Sequence, residues 1–322
     1  MNAAIPKEAD WSNAPGLLEG AMTLVLPPEK CGLDYWIRAA AQGTWLGLEN
    51  GHMPGLKVPE YMLQEGPLRS AIIDEFAFRT IAEELATRAL SYLVAVAPTI
   101  PTMEFYATQV IDEARHSWAF RTHLIELGIA EEELALTIEK TAGKAREDIL
   151  RPLESFGLRV MRDQRDFIGG VVIITILVEG VLAPAAELSE LKWRILDPPA
   201  ASIERGANID EIRHLCVGSS IVRQHLIDHP EEKERILDLI VYGRKLWEDL
   251  PTSALILNRE RLFQQGMMAH RDLLAGHELM PGLLLIDTTS EVRLDIAESW
   301  SREMQNSRLS FMGLEAAVPQ VA

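Results

Sequence analysis

The chain has 322 residues, of which 48% are hydrophobic and 25% charged, as in ordinary soluble globular proteins. Its 48 acidic side chains outnumber 31 basic ones, for a formal net charge of −17. Because this charge repels phosphate backbones and anionic lipids, we expect neither nucleic acid nor a membrane as a partner. Only two cysteines, Cys31 and Cys216, and no apolar leader in residues 1–10 favour a cytoplasmic protein.

The first section of the chain, residues 1–66, lacks a continuous helical pattern. Proline- and glycine-rich patches at residues 14–16, 27–28 and 53–55 interrupt it. Between them, residues 33–48 are compatible with one helix. We therefore expect an irregular N-terminal arm that packs on the rest of the protein.

From residue 67 the apolar residues recur with a helical period, and no alternating strand pattern competes with it. The predicted helices cover residues 67–97, 102–127, 131–156, 163–191 and 210–227, followed by acidic amphipathic helices to about residue 313. Two pairs of long helices with a connection between the pairs are typical of a four-helix bundle. We expect an all-α helical domain over residues 67–313 and a tail over residues 314–322.

One predicted helix is apolar on all sides. Residues 168–178 are too few to span a bilayer and are better explained as a helix buried in protein. The run ends at a single acid, Glu179. A bare carboxylate there would cost several kcal/mol or take up a proton, so a metal ion is the simplest partner.

A short motif, D-E-x-R-H, occurs at residues 112–116 and again at residues 210–214. Glu and His three residues apart lie on the same face of a helix, about one turn from each other. Glu113 with His116, and Glu211 with His214, can therefore each bind a metal ion. Two such helices, each with a Glu from another helix, form the Glu4His2 shell of ferritin-like dinuclear sites.

The remaining ligand comes from the first long helix. Glu83 lies on its apolar stripe, whereas Glu84 has Arg88 four residues later, the spacing of a solvated surface pair. We favour Glu83 and keep Glu84 as the alternative.

The residues beside the ligands also have predicted roles. Asp112 and Asp210 can accept the second N–H of a ligating histidine on the opposite helix. Arg115 and Arg213 can pair with these aspartates and partly neutralise the site. Thr175, four residues before Glu179, and the nearby Phe120 are candidates for pocket walls.

The doubled motif, with a single Glu about 30 residues before each copy, resembles the diiron carboxylate oxygenases. These include bacterial methane and toluene monooxygenase subunits and stand-alone N-oxygenases of natural-product pathways. The resemblance covers about residues 72–227 and implies a ferritin-like bundle with additional N- and C-terminal helices. It also implies two iron ions and O2 as co-substrate.

Three positions depart from related families. Phe120 stands where the small subunit of ribonucleotide reductase has a tyrosine that forms a radical. Ala183 replaces the threonine of the multicomponent monooxygenases, and Ala207 replaces a third histidine of arylamine N-oxygenases. The remaining pattern is most similar to the azoxy-forming N-oxygenases of valanimycin-type antibiotic biosynthesis.

We therefore expect an enzyme that transfers oxygen from O2 to a small nitrogen-containing substrate. The sequence has no pattern for flavin or nicotinamide, so electrons would come from a separate reductase or ferredoxin, or from the substrate. A diiron C–H hydroxylase or desaturase is the alternative, and a ferritin-like iron-oxidising or storage protein is the alternative of another class. The helices after residue 230 suggest a lid, a pocket or a subunit interface, the last compatible with a homodimer.

Overall fold

A computed structural model describes residues 5–317 of the chain. It is 79% helical, which confirms the all-α prediction. The helices are α1 (Leu17–Thr23), α2 (residues 33–44), α3 (Pro67–Val96), α4 (Ile100–Glu126), α5 (residues 131–163), α6 (Phe167–Trp193), α7 (Pro198–Asp228), α8 (Lys233–Glu248), α9 (Thr252–Ala269) and α10 (Ser290–Met312). A two-stranded antiparallel ribbon, β1 (Glu278–Met280) with β2 (Leu283–Leu284), lies between α9 and α10.

Helices α3, α4, α6 and α7 form the four-helix bundle. A short connection joins α3 to α4, and Thr99 caps α4 by accepting a hydrogen bond from the backbone N–H of Thr102. The second pair, α6 and α7, packs against the first through α4 and α3. The bundle interior is filled by aliphatic and aromatic side chains, including Phe76, Phe105 and Ile176, which have no solvent exposure.

Helix α7 begins twelve residues earlier than the sequence pattern indicated. Pro198 and Pro199 occupy its first positions. Proline is tolerated there because the first N–H groups of a helix have no partner within the helix. Asp197 caps this end by accepting a hydrogen bond from the N–H of Ala200 at 3.2 Å.

Helix α6 is the apolar helix of the sequence analysis. By length and composition its 27 residues could cross a membrane, but 72% of its apolar 18-residue stretch is buried inside the protein. It is therefore explained as a core helix of the bundle. Within it, Ile173–Glu179 forms a π-helical segment that ends at the acid.

The N-terminal arm packs along one side of the bundle. Arg205 on α7 donates hydrogen bonds to the carbonyls of Ala14 and Pro15, and Glu187 on α6 accepts one from the N–H of Leu18. In the segment predicted as a tail, residues 314–322, the side chains of Leu314 and Ala317 are buried. Residues 318–322 lie outside the described range.

A buried network of charges joins the C-terminal helices to the bundle. Lys192 on α6 donates to Glu260 on α9 at 2.6 Å and to Glu75 on α3 at 3.3 Å. Arg293 on α10 pairs with the same Glu260. Because removal of one member would leave a buried charge without a partner, this network fixes where α9 and α10 sit.

A second buried network surrounds His123 on α4. Its Nε2 lies 3.0 Å from Asp197 and its Nδ1 lies 3.3 Å from Glu126, which also contacts His52 of the arm at 3.1 Å. His123 is therefore a core residue with its own partners. Burial lowers the pKa of His123, but the charge of Asp197 and hydrogen bonds to both acids raise it to about 9.

This pKa predicts a loss of stability at alkaline pH. A pKa raised from 6.5 to about 9 by folding contributes roughly 3 kcal/mol, which is fully present below pH 6.5 and lost as pH rises through about 9. Urea unfolding between pH 6 and pH 10 measures this loss. His123→Gln should flatten that part of the profile.

The control for this experiment is His229→Gln, because the His229 side chain is 54% exposed. It should retain the pH dependence of the unmodified protein. Equal profiles for His123→Gln and the unmodified protein would contradict the assignment.

Candidate metal centre

Four helices bring the predicted ligands to the centre of the bundle. Glu83 comes from α3, the pair Glu113 and His116 from α4, Glu179 from α6, and Glu211 and His214 from α7. Among the described residues, their ligand atoms form two groups, each with all atoms within 4.8 Å of one another: Glu83, Glu113 and His116, and Glu113, Glu179, Glu211 and His214.

Glu113 belongs to both groups. One of its oxygens, Oε2, lies 3.4 Å from Nδ1 of His116, and the other, Oε1, lies 3.3 Å from Nδ1 of His214. A carboxylate with one oxygen directed to each group is suited to bridge two cations. The sequence pattern assigned Glu113 to one ion only, so the shared position is a new feature.

The other carboxylates approach the same two nitrogens. Glu83 lies 4.0 Å from Nδ1 of His116, while Glu211 and Glu179 lie 3.5 Å and 3.9 Å from Nδ1 of His214. Both histidines therefore direct Nδ1 toward the acids. This geometry selects Nδ1 as the ligand atom of each.

The ligand set has unused hydrogen-bonding capacity. Five of the six residues each have one buried atom without a hydrogen-bond partner: Glu113 Oε1, His116 Nδ1, Glu179 Oε2, Glu211 Oε2 and His214 Nδ1. Buried polar atoms are nearly always paired, so five unpaired atoms within these two ligand groups require partners. Four carboxylates and two imidazoles balance and coordinate two divalent cations, so the residues fit a dinuclear metal site.

Without cations the acids are held in unfavourable states. Burial, followed by the charge of Glu113, raises the pKa of Glu83 well above its usual range. Burial and the charge of Glu211 raise the pKa of Glu179 in the same way. Glu113 differs, because the adjacent imidazoles of His116 and His214 outweigh its burial and lower its pKa. Metal binding would therefore release protons from this site.

The alternative first ligand, Glu84, faces the surface. Its side chain is 42% exposed and pairs with Arg121 at 2.8 Å. The structure thus places Glu83, rather than Glu84, beside the other predicted ligands. The surface partner is Arg121 on α4, whereas the sequence spacing indicated Arg88.

The two aspartates of the repeated motif contact the histidines of the opposite helix. Nε2 of His214 lies 3.2 Å from Asp112, and Nε2 of His116 lies 3.4 Å from Asp210. Such contacts orient the imidazole and favour the tautomer with the proton on Nε2. Nδ1 is then left as the acceptor that a metal needs.

The two arginines of the motif pair with the same aspartates. Arg213 contacts Asp112, and Arg115 contacts Asp210, with all four side chains buried. The charge of Arg115 and hydrogen bonding to His116 overcome burial and keep the pKa of Asp210 below its usual range. Asp210 therefore stays ionised.

Two residues of the arm complete this arrangement. Trp36 Nε1 donates a hydrogen bond to Asp112 at 2.8 Å, and the Thr44 hydroxyl donates one to Asp210 at 3.1 Å. Both lie on α2, and both are buried. The sequence contained no signal for these contacts, because they join segments far apart in the chain; Trp36 was expected only as core of the arm.

Gln109 is another residue that the sequence analysis missed. It lies one turn before Glu113 on α4, is buried, and its side-chain amide contacts Glu179. A polar side chain four residues from a predicted ligand, on the same face, is the signal that would have identified it.

A cavity of about 70 Å³ adjoins the ligands. Phe120 lines it, as expected, together with aliphatic side chains of α3 and α6. Thr175 does not: its hydroxyl is buried against Gly218 of α7. The expectation assumed α-helical spacing, whereas the π-helical segment before Glu179 has more residues per turn and rotates Thr175 off that face.

Ala183 and Ala207 also line this cavity. They occupy the positions at which families that the repeated motif resembles carry a threonine or a third histidine. The small side chains leave apolar space where those groups would add polar atoms beside the candidate ligands.

No protein-family model and no curated protein matches this chain. The functional assignment therefore depends on the site itself.

The contact from the arm predicts a measurable effect on metal affinity. Trp36→Phe removes the donor to Asp112 and leaves an aromatic ring in place. Because partners of this kind orient ligating histidines, the variant should bind the metal at His214 roughly tenfold more weakly, the lower end of the usual range. Competition with a chromophoric chelator measures the affinity.

Trp45→Phe is the matched control, since Trp45 also lies in the arm but is 43% exposed. It should bind metal as the unmodified protein does. If Trp36→Phe bound metal with the same affinity as Trp45→Phe and the unmodified protein, the contact of Trp36 would have no influence on the site.

Proposed function

We propose that this protein is a diiron oxygenase that activates O2 for reaction with a small organic substrate. The observation that carries the proposal is the pair of ligand groups joined by Glu113, whose buried atoms lack partners beside an apolar cavity. When bound, two Fe2+ ions would supply the electrons and the coordination positions for O2 chemistry.

The chain's own residues hold the ligands ready for this chemistry. Asp112 and Asp210 keep a proton on Nε2 of each histidine, so that Nδ1 faces the metal position. Glu83, Glu179 and Glu211 each belong to one group, and Gln109 orients Glu179. The aliphatic walls of α3 and α6 exclude water from the reacting side.

The cavity favours an oxygenase over the storage alternative. An iron-oxidising protein needs a polar path for hydrated ions, whereas Phe120, Ile174 and Leu182 present apolar surface beside the ligands. Apolar space of this kind is suited to an organic substrate.

Within the oxygenases, we favour a nitrogen-containing substrate of secondary metabolism. Phe120 cannot form a tyrosyl radical, and Ala183 offers no hydroxyl for proton delivery. A neutral amine, hydroxylamine or hydrazine can attack an electrophilic oxygen without the strong oxidant that a C–H bond demands. The C–H hydroxylase or desaturase stays the alternative, and a separate reductase or ferredoxin is the proposed electron donor.

The shared ligand predicts the metal content of variants. Glu113→Ala should lose both ions because both groups lose a donor, whereas Glu83→Ala should lose one and retain the other. The unmodified protein should hold about two irons per chain. Iron analysis after anaerobic loading measures the ratio.

Glu84→Ala is the control, since this surface acid should not affect the iron content. Full iron content in Glu113→Ala would contradict the ligand assignment. So would a loss of iron in Glu84→Ala together with full iron content in Glu83→Ala.

The proposed reaction predicts how O2 uptake depends on substrate. The iron-loaded protein, reduced with dithionite and then freed of it by anaerobic desalting, should consume O2 faster with an alkylhydroxylamine than without it, and should transfer 18O from 18O2 to nitrogen. An oxygen electrode and mass spectrometry measure these quantities. Faster uptake with hydrocarbons alone, with 18O on carbon, would support the hydroxylase alternative. Accumulation of ferric mineral without any oxygenated product would support the storage alternative.

A further inference from the structure

A second cavity, of about 60 Å³, lies next to the one at the metal ligands. It is bounded by three helices, α3, α5 and α6. Its far wall is formed by Leu150, Leu153, Gly157 and Met161 of α5. None of these residues belongs to the ligand set or to the repeated motif.

The two cavities are separated only by aliphatic side chains. Ala82, Ala86, Ile174, Val178 and Leu182 line both. The two cavities therefore share one wall, and a ligand that displaced Leu182 or Val178 from it would occupy both as one slot. The slot runs from the ligand carboxylates toward α5.

The dimensions of the slot select the shape of its occupant. An apolar cavity of about 150 Å³ is known to admit a benzene ring. The cavities here have about 70 Å³ and about 60 Å³, so neither holds a ring alone. A straight chain, which can extend from one into the other, uses both.

The far end of the slot is close to the surface. Leu85 and Glu154 line the second cavity and also a groove between α3, α4 and α5. Glu154 is paired with Arg151 at 2.6 Å, so its charge is already compensated. After this mouth, the second cavity offers a chain only apolar contacts.

We infer that the substrate carries a narrow, uncharged aliphatic chain that occupies the second cavity. Its reacting end lies in the first cavity, beside Glu83, Glu113 and Glu211. This inference rests on the proposed function, since it assigns the reacting end to the metal centre. It adds the chemical class of the substrate: a straight-chain aliphatic compound instead of an aromatic one.

The test uses binding, with the full-length protein as purified and its iron content measured. Straight-chain primary alcohols from ethanol to octanol are the probes, because their head group is neutral and the chain length is the variable. Each added methylene that enters the slot should lower Kd about fourfold until the slot is full. Isothermal titration calorimetry measures Kd. Hexanol should bind more tightly than cyclohexanol or phenol.

Gly157→Leu is the main variant. A Cβ at this position would lie 3.0 Å from Cε of Met161 and 3.9 Å from Cγ2 of Ile173, so a larger side chain fills the second cavity. Leucine is also a better helix former than glycine, which favours folding of the variant. Gly157→Leu should lose the gain from the longer alcohols and keep the binding of the shortest. Ser91→Leu, on the exposed side of α3, is the matched control and should behave as the unmodified protein.

Three results would overturn the inference: Kd values that do not change with chain length, the same series in Gly157→Leu as in the unmodified protein, or phenol binding as tightly as hexanol. If Gly157→Leu does not fold, the comparison of hexanol with cyclohexanol and phenol decides. Iron content and O2 uptake in the same preparations separate the two proposals. A chain-length series without iron binding would contradict the proposed function alone, and two irons with O2 uptake but a flat series would contradict the inference alone.

Discussion

Four carboxylates share one apolar interior, and the rest of the site is arranged around the need to balance their charge. Burial raises the pKa of Glu83, Glu179 and Glu211, so without cations the bundle must hold extra protons at its centre. Two divalent cations would remove this cost and also provide partners for the unpaired oxygens and nitrogens. Glu113 is central because it alone belongs to both groups among the described residues.

The surrounding charges follow from the same requirement. Each histidine must present an unprotonated Nδ1, which requires a hydrogen-bond acceptor at Nε2, and Asp112 and Asp210 fill that role from opposite helices. Two buried aspartates in turn need cations, which Arg213 and Arg115 provide. Trp36 and Thr44 of the arm then donate hydrogen bonds to the remaining aspartate oxygens. The negative aspartates around the metal position are thus compensated by positive arginines. The Asp–His contacts between opposite helices tie α4 to α7.

The sequence was sufficient for the fold class and for the set of residues that meet at the centre. Helical period identifies the long helices, and the repeated D-E-x-R-H motif places Glu, His, Asp and Arg on fixed faces whatever the tertiary details. The sequence was not sufficient for contacts that depend on the lateral offset between helices. Whether Glu113 serves one group or both depends on how far α4 and α7 slide past each other, and Trp36 reaches Asp112 only after the arm has packed. Thr175 was misplaced because a π-helical segment has no distinct composition.

The walls of the cavity determine what kind of selectivity this site can have. A pocket that recognises a substrate by hydrogen bonds rejects analogues strongly, because the unpaired polar groups left behind are costly. Ala183 and Ala207 remove two such groups from the reacting side, and the partition of aliphatic side chains adds none. Selection by shape alone is weaker: one methylene in an apolar pocket changes the binding free energy by about 0.8 kcal/mol. A narrow apolar slot beside a metal pair would therefore accept homologues of its substrate with graded efficiency, and discriminate mainly by the width of the chain.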